Sequence, residues 1–192
     1  FWPSDNTDPI ERLFIQRGFS QVFPAKTMCA HVTTWNKNSS VKFRTDVAMM
    51  CKLGFDIKLA DMSKDDETYC RTAVQNYNRL KPVVLEGDMY RLVSPYGSNH
   101  TSTMYVGKDK DKAVVFAFDI HPRYAEKTLP VRLQGLDADK MYRVKEINLM
   151  PGANSSLSGN GEVFSGEFLM NVGLNLFTTQ QLNSRVIEVV AE

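Results

Sequence analysis

Two carboxylates, Asp5 and Asp8, stand three residues apart just ahead of a helical pattern. Asp8-Pro9-x-Glu11 reads as an N-cap, a first helical position and a reciprocal capping residue. Asp8 therefore has a structural role, accepting from free N–H groups of the first turn. Asp5 has no such role. It lies in the approach to the helix, beside Trp2 and among small polar residues. In a strand–loop–helix unit this is where a catalytic acid is placed. The plain alternative is a turn, since Ser4-Asp5-Asn6-Thr7 is also good turn chemistry. Trp2 likewise has two readings, a ring to stack on the flat face of a bound substrate or an apolar anchor at a strand end.

The string Trp2-Pro3-Ser4-Asp5-Asn6-Thr7-Asp8, followed by Ile10-Glu11-Arg12-Leu13 and Ile15-Gln16, closely resembles the W-x-S-D-[ND]-[ST]-D segment and its continuation in melibiase-like retaining α-galactosidases, glycoside hydrolase family thirty-six. The resemblance continues through Phe23-Pro24, Met28, Ala30-His31-Val32, Arg44, Val47-Ala48-Met49 and Leu53-Gly54-Phe55, and more weakly through the C-terminal region. It implies that Asp5 is the general acid/base and that the substrate is a terminal α-linked galactoside. It also implies that the nucleophile, an Asp in a Lys-Trp-Asp stretch, and a Cys-Ser-Gly-Gly-rich sugar-holding loop lie upstream. Neither stretch occurs among these 192 residues. The expectation is therefore a C-terminal piece of a longer enzyme, inactive alone, whose partner is the missing N-terminal part of the same protein. Cys29 stands where the family usually has glycine, and Thr33-Thr34-Trp35-Asn36 replaces the usual Ser-Ala-x-Pro-Asn.

The elements that must hold these groups follow from periodicity. Ile10, Leu13 and Phe14 give one apolar helical face over Pro9 to Arg17, with Gly18 as the expected stop. Thr27 to Thr33 is a nearly continuous apolar run, suited to a strand buried on both faces of a parallel sheet. His31 lies in it, either near enough to the strand's C-terminal end to reach the sugar or as a satisfied core histidine. Phe43, Val47, Met50 and Cys51 repeat at helical spacing with Gly54 closing the element, and Phe55 to Leu59 alternates like a strand. Ser63 with Asp66 caps a long amphipathic helix expected to end or kink near Pro82.

Beyond Met89 the pattern changes. Strand-like segments cover 89–93, 103–106, 113–118, 131–133, 141–147 and 185–190, with turn clusters at 107–111, 135–139 and 158–161. Ser165 to Leu176 fits either a short helix or a strand. The fold expected is α/β plus all-β: residues 1–88 as the incomplete C-terminal portion of a (β/α)8 (TIM) barrel, and residues 89–192 as an antiparallel β-sandwich domain.

Composition narrows the classes. Hydrophobic residues are 43% and charged residues 23%, as in ordinary globular proteins. A net charge of +1 implies no basic face for nucleic acid or an anionic membrane. No apolar run approaches the ~20 residues of a transmembrane helix. Cys29, Cys51 and Cys70 lack Cys-x-x-Cys spacing and read as buried thiols. No metal-ligand spacing, Ser-His-Asp set or glycine-rich phosphate loop is present, so no metal or cofactor is expected. His100 and His121 are assigned to turns. The Asn-x-Ser/Thr triplets at 38, 99 and 154 carry no weight. No leader segment is visible, compartment is open, and a homo-oligomer is left open. Two competing readings are a non-catalytic carbohydrate-binding or packing module and a related α-glycoside transferase.

Overall fold

The computed structural model describes residues 1–5, 8–33 and 38–192; the middle of the Ser4–Asp8 motif and the departure at 34–37 lie outside the described residues. Helix α1 spans Pro9–Phe19, and Asp8 caps it: its Oδ1 accepts from the N–H of Ile10 at 2.9 Å and of Glu11 at 3.0 Å. The helix runs through Gly18, the expected stop. It closes instead at Ser20, whose N–H donates to the Gln16 carbonyl. No left-handed turn forms at Gly18, so its missing Cβ ends nothing.

Strand β1 (Cys29–Thr33), helix α2 (Val41–Ala48) and strand β2 (Lys52–Asp56) form a βαβ unit with parallel strands, His31 opposite Gly54 and Thr33 opposite Asp56. Gly54 lies inside β2 rather than at the end of α2, and the expected strand 55–59 is displaced toward the N-terminus. Pairing with β1 sets that register; local alternation does not. Ala30 and Val32 turn to α2, packing with Ala48 and Cys51. By alternation Cys29, His31 and Thr33 occupy the other face, with Gly54 and Asp56. The Phe1 ammonium donates to the Thr27 carbonyl at 2.7 Å, and the Cys29 N–H donates to the Phe1 carbonyl at 2.9 Å, the pattern of a parallel ladder. Met28 turns its carbonyl the opposite way, to the N–H of Lys52. Phe1 and β2 therefore flank β1 on opposite edges.

Helix α3 (Lys64–Glu86) is capped by Ser63, whose Oγ accepts from Asp66 N–H at 3.1 Å. It continues past Pro82 to Glu86, so the expected end there is not found. Tyr69, Ala73, Tyr77, Leu80 and Val84 form its buried stripe.

Strands β3 (Asp88–Val93), β4 (His100–Val106), β5 (Lys112–Asp119), β6 (Met141–Ile147), β7 (Val163–Ser165) and β8 (Asn183–Ala191) follow, and helix α4 (Gly166–Asn171) resolves the ambiguous segment. They make one six-stranded antiparallel sheet of order β3-β4-β5-β8-β6-β7. The antiparallel character agrees with expectation. The second sheet of a sandwich does not form among the described residues. One face of the sheet, with Tyr105, Val114, Phe116, Phe118 and Val186, packs on α2 and α3 in a core that also holds Leu13, Phe43 and Met49. The other face, with Met104, Val115, Val144, Ile187 and Val189, is closed by Leu133, Leu157, Leu169, Leu174 and Leu176. Of the expected strand 131–133, only an isolated bridge from Val131 to Leu174 forms. Gly173, at φ +89°, makes that approach feasible, since a Cβ there would stand 2.2 Å from the Val131 carbonyl oxygen.

Candidate active site

The chemistry-bearing residues meet on the face of the parallel strands that carries His31, the middle residue of β1, with Asp56 closing β2. Because Phe1 runs parallel to β1, Trp2 to Asp5 continue toward that strand's C-terminal end. Trp2 and His31 meet edge to face, ring centroids 4.5 Å apart at 86°. The tryptophan remains 55% exposed.

Arg12, on the first turn of α1, is 3% exposed. Its Nη2 donates to the Ser4 carbonyl at 3.1 Å and lies 3.4 Å from His31 Nδ1. One turn on from Asp8, Arg12 is by spacing alone a structural residue that could pair with Asp8 or with a barrel neighbour. Only the fold brings α1, the 2–5 segment and β1 to one point.

Asp5 is exposed, and neither it, Trp2 nor His31 lines the larger cavities found among the described residues. Its charge reaches both basic neighbours. Burial lowers the pKa of Arg12, and Cys51 and Asp5 act against that. Burial first, then the charge of Arg12, lowers the pKa of His31, while Asp56 and Asp5 pull it up. A neutral imidazole thus sits among one cation and two carboxylates. Asp56, at the end of β2, is the second residue that sequence reasoning passes over. Its signal is its place at a strand's C-terminal end, hidden because the expected strand, Phe55 to Leu59, puts it near the start instead.

The remaining candidates are structural. Asp8 is the helix cap. His100 opens β4 rather than lying in a turn, and its buried Nδ1 contacts Asp119 Oδ1 at 2.8 Å. His121 pairs with Gln181 at 2.9 Å. The thiols are free, with Cys51 buried and its pKa pushed up to about 12 by that burial. Among the described residues no group of three His, Cys, Asp or Glu side chains could hold a metal ion, and no helix is long and apolar enough to cross a membrane.

Known proteins are similar to this chain in sequence and in fold. Residues 1–87 match the Melibiase family model, and residues 100–189 match that of the glycosyl hydrolase family 36 C-terminal domain. Alpha-galactosidase 2 of Hypocrea jecorina is 34% identical over 192 residues, covering 97% of this chain and 24% of that protein. The crystal structure of a family 36 α-galactosidase from Geobacillus stearothermophilus superposes with a TM-score of 0.85 at 28% identity, over 99% of this chain and 25% of that one. A second α-galactosidase of the same organism, in complex with raffinose, gives a TM-score of 0.84 at 28% identity, over 98% and 25%. The chain therefore spans about a quarter of the length of the proteins it resembles. Two consecutive family matches, and relatives aligned over nearly every residue, lead to one assignment: the chain belongs to glycosyl hydrolase family 36, the melibiases.

Proposed function

We propose that the polypeptide carrying this chain is a retaining α-galactosidase that hydrolyses terminal α-linked galactose, with Asp5 as its general acid/base. In this reading, residues 1–88 are the last part of a (β/α)8 barrel and residues 89–192 form a C-terminal domain packed against it. The observation that carries it is the convergence of Asp5, Trp2 and His31 on one face of the parallel strands, the 2–5 segment running toward their C-terminal ends, where barrel enzymes place their chemistry. The raffinose complex of the Geobacillus relative supports an α-galactoside as substrate.

Two carboxyl groups are needed. One protonates the leaving oxygen while the other attacks the anomeric carbon, the pair standing ~5–5.5 Å apart in retaining enzymes. Asp5 supplies the proton. The nucleophile comes from the upstream portion, whose carboxylate also places a negative charge near Asp5 and favours its acid form before the first step. After the galactosyl–enzyme ester forms, Asp5 takes a proton from the incoming water. Trp2 offers a ring face to the sugar. His31, neutral, offers a hydrogen bond without adding charge to the site.

In the intact polypeptide, Asp5→Ala is expected to lower kcat on melibiose by a factor of about 10² to 10⁴, the usual weight of a general acid. Residues 1–192 alone are expected to show no turnover of an aryl α-galactoside. Turnover by that chain, abolished by Asp5→Ala, would show that it needs no upstream nucleophile and would overturn the reading.

A further inference from the structure

Arg12 touches both the backbone that carries the acid and the histidine beside it. The Ser4 carbonyl, which accepts from Arg12 Nη2 at 3.1 Å, belongs to the peptide unit joining Ser4 to Asp5. Holding that carbonyl fixes the peptide plane from which the Asp5 side chain hangs. The same Nη2 lies 3.4 Å from His31 Nδ1. A guanidinium has no acceptor, so Nδ1 must accept, and the neutral ring carries its proton on Nε2. We propose that Arg12 is the positioning residue for the acid/base: one buried guanidinium group sets the direction of Asp5 and the tautomer of His31, which then presents Nε2–H toward the sugar.

The inference rests on the reading of Asp5 above and adds to it. Burial makes the arrangement stiff, because a 3% exposed guanidinium cannot exchange these partners for water. Trp2 meets the same imidazole ring edge to face. Among the described residues, the charged or ionisable groups acting on this cluster are Asp5, Asp56 and the Cys51 thiol, from the approach to α1, the end of β2 and the turn between α2 and β2. Lysine cannot replace the function. It is a point charge with no planar fork, and it cannot hold a carbonyl and a ring nitrogen in one fixed geometry.

The test uses the intact polypeptide with two substrates. Melibiose has a poor leaving group and needs the proton; a dinitrophenyl α-galactoside does not. Arg12→Met and Arg12→Lys are expected to lower kcat on melibiose by about 10²-fold, the lower end of a general acid's weight, with KM nearly unchanged. On the activated galactoside the first chemical step is expected to change by less than about threefold, since no proton is delivered there. A merely structural arginine would reduce both substrates alike, and that uniform loss, or no loss, overturns the proposal. If one variant does not fold, the other decides. A third measurement needs no variant: nitrogen NMR of histidine-labelled wild-type protein should find His31 protonated at Nε2, and protonation at Nδ1 would overturn the proposal. Asp5→Ala is assayed in parallel. Full activity there rejects the acid/base reading itself, whereas its expected loss combined with unselective Arg12 variants rejects this inference alone.

Discussion

At the residue scale, the acid motif shows how far spacing reaches. Asp8 is legible as a cap because its partners are two and three residues away, and the structure makes both bonds. Asp5 is legible through the extended resemblance. Arg12 is not, because its partners are a backbone carbonyl eight residues back and a ring nitrogen nineteen residues on. No local rule separates such an arginine from a surface one. His31 gives a measurable consequence. Burial and the Arg12 charge hold its pKa below the usual value, so the folded protein binds fewer protons here than the unfolded chain. That sign means His31 subtracts stability as pH falls through the unfolded value of about 6.5, and has no effect well above it. Denaturant unfolding of wild type and His31→Gln should therefore differ by a constant amount in alkaline solution. The difference should move in favour of the variant as the solution is acidified. A difference independent of pH would contradict the assignment.

At the element scale, the helices fall where periodicity puts them, and their ends less so. Ser63 and Asp66 form the predicted cap. Gly18 and Gly54, expected as stops, lie within a helix and a strand. Glycine's advantage at a helix end comes chiefly from the left-handed turn it permits, and neither residue adopts one here. The junction between elements depends on Asp46, which sequence patterning leaves as one more polar residue of α2. Fully buried, it accepts from Lys42 Nζ at 2.6 Å, Tyr69 hydroxyl at 2.8 Å, Asn148 Nδ2 at 3.0 Å and Ser184 Oγ at 2.7 Å. It thereby ties α2 and α3 to the loop after β6 and to β8. Asp46→Ala would strand a nearly buried ammonium and three further donors, and is expected to cost about 3 kcal/mol or more. A loss below about 0.5 kcal/mol in denaturant titrations, the range of an ordinary surface change, would show that the cluster does not hold the two parts together.

At the scale of the whole molecule, the change from α/β to antiparallel β is readable from hydropathy, and the strands at 141–147 and 113–118 fall where alternation places them. The sheet's order is not readable. The last strand, β8, enters between β5 and β6, a pairing far apart in sequence that no pattern along the chain announces. All the strands from β3 to β8 join a single sheet, and its second face is closed by an irregular apolar cover that includes Leu133 of the expected strand 131–133. Beside β2, Phe55, Ile57, Leu59, Met62 and Val74 line an open groove of about 640 Å³, with Leu59 73% exposed. Under the proposed function the upstream barrel strands cover this side. Residues 1–192 expressed alone are expected to bind a hydrophobic dye strongly and to associate, and the intact polypeptide is expected to do neither. Equal dye binding by both would mean that the groove is not an internal surface of the larger enzyme.

The most direct test of the account is the product formed by the intact Asp5→Ala variant from a dinitrophenyl α-galactoside in the presence of azide. If Asp5 is the acid/base, the upstream carboxylate still forms the galactosyl–enzyme ester. Azide then enters from the face that Asp5 vacated, which gives α-galactosyl azide together with recovery of turnover. Formation of the β-azide would make Asp5 the nucleophile, and activity insensitive both to the substitution and to azide would remove Asp5 from the reaction.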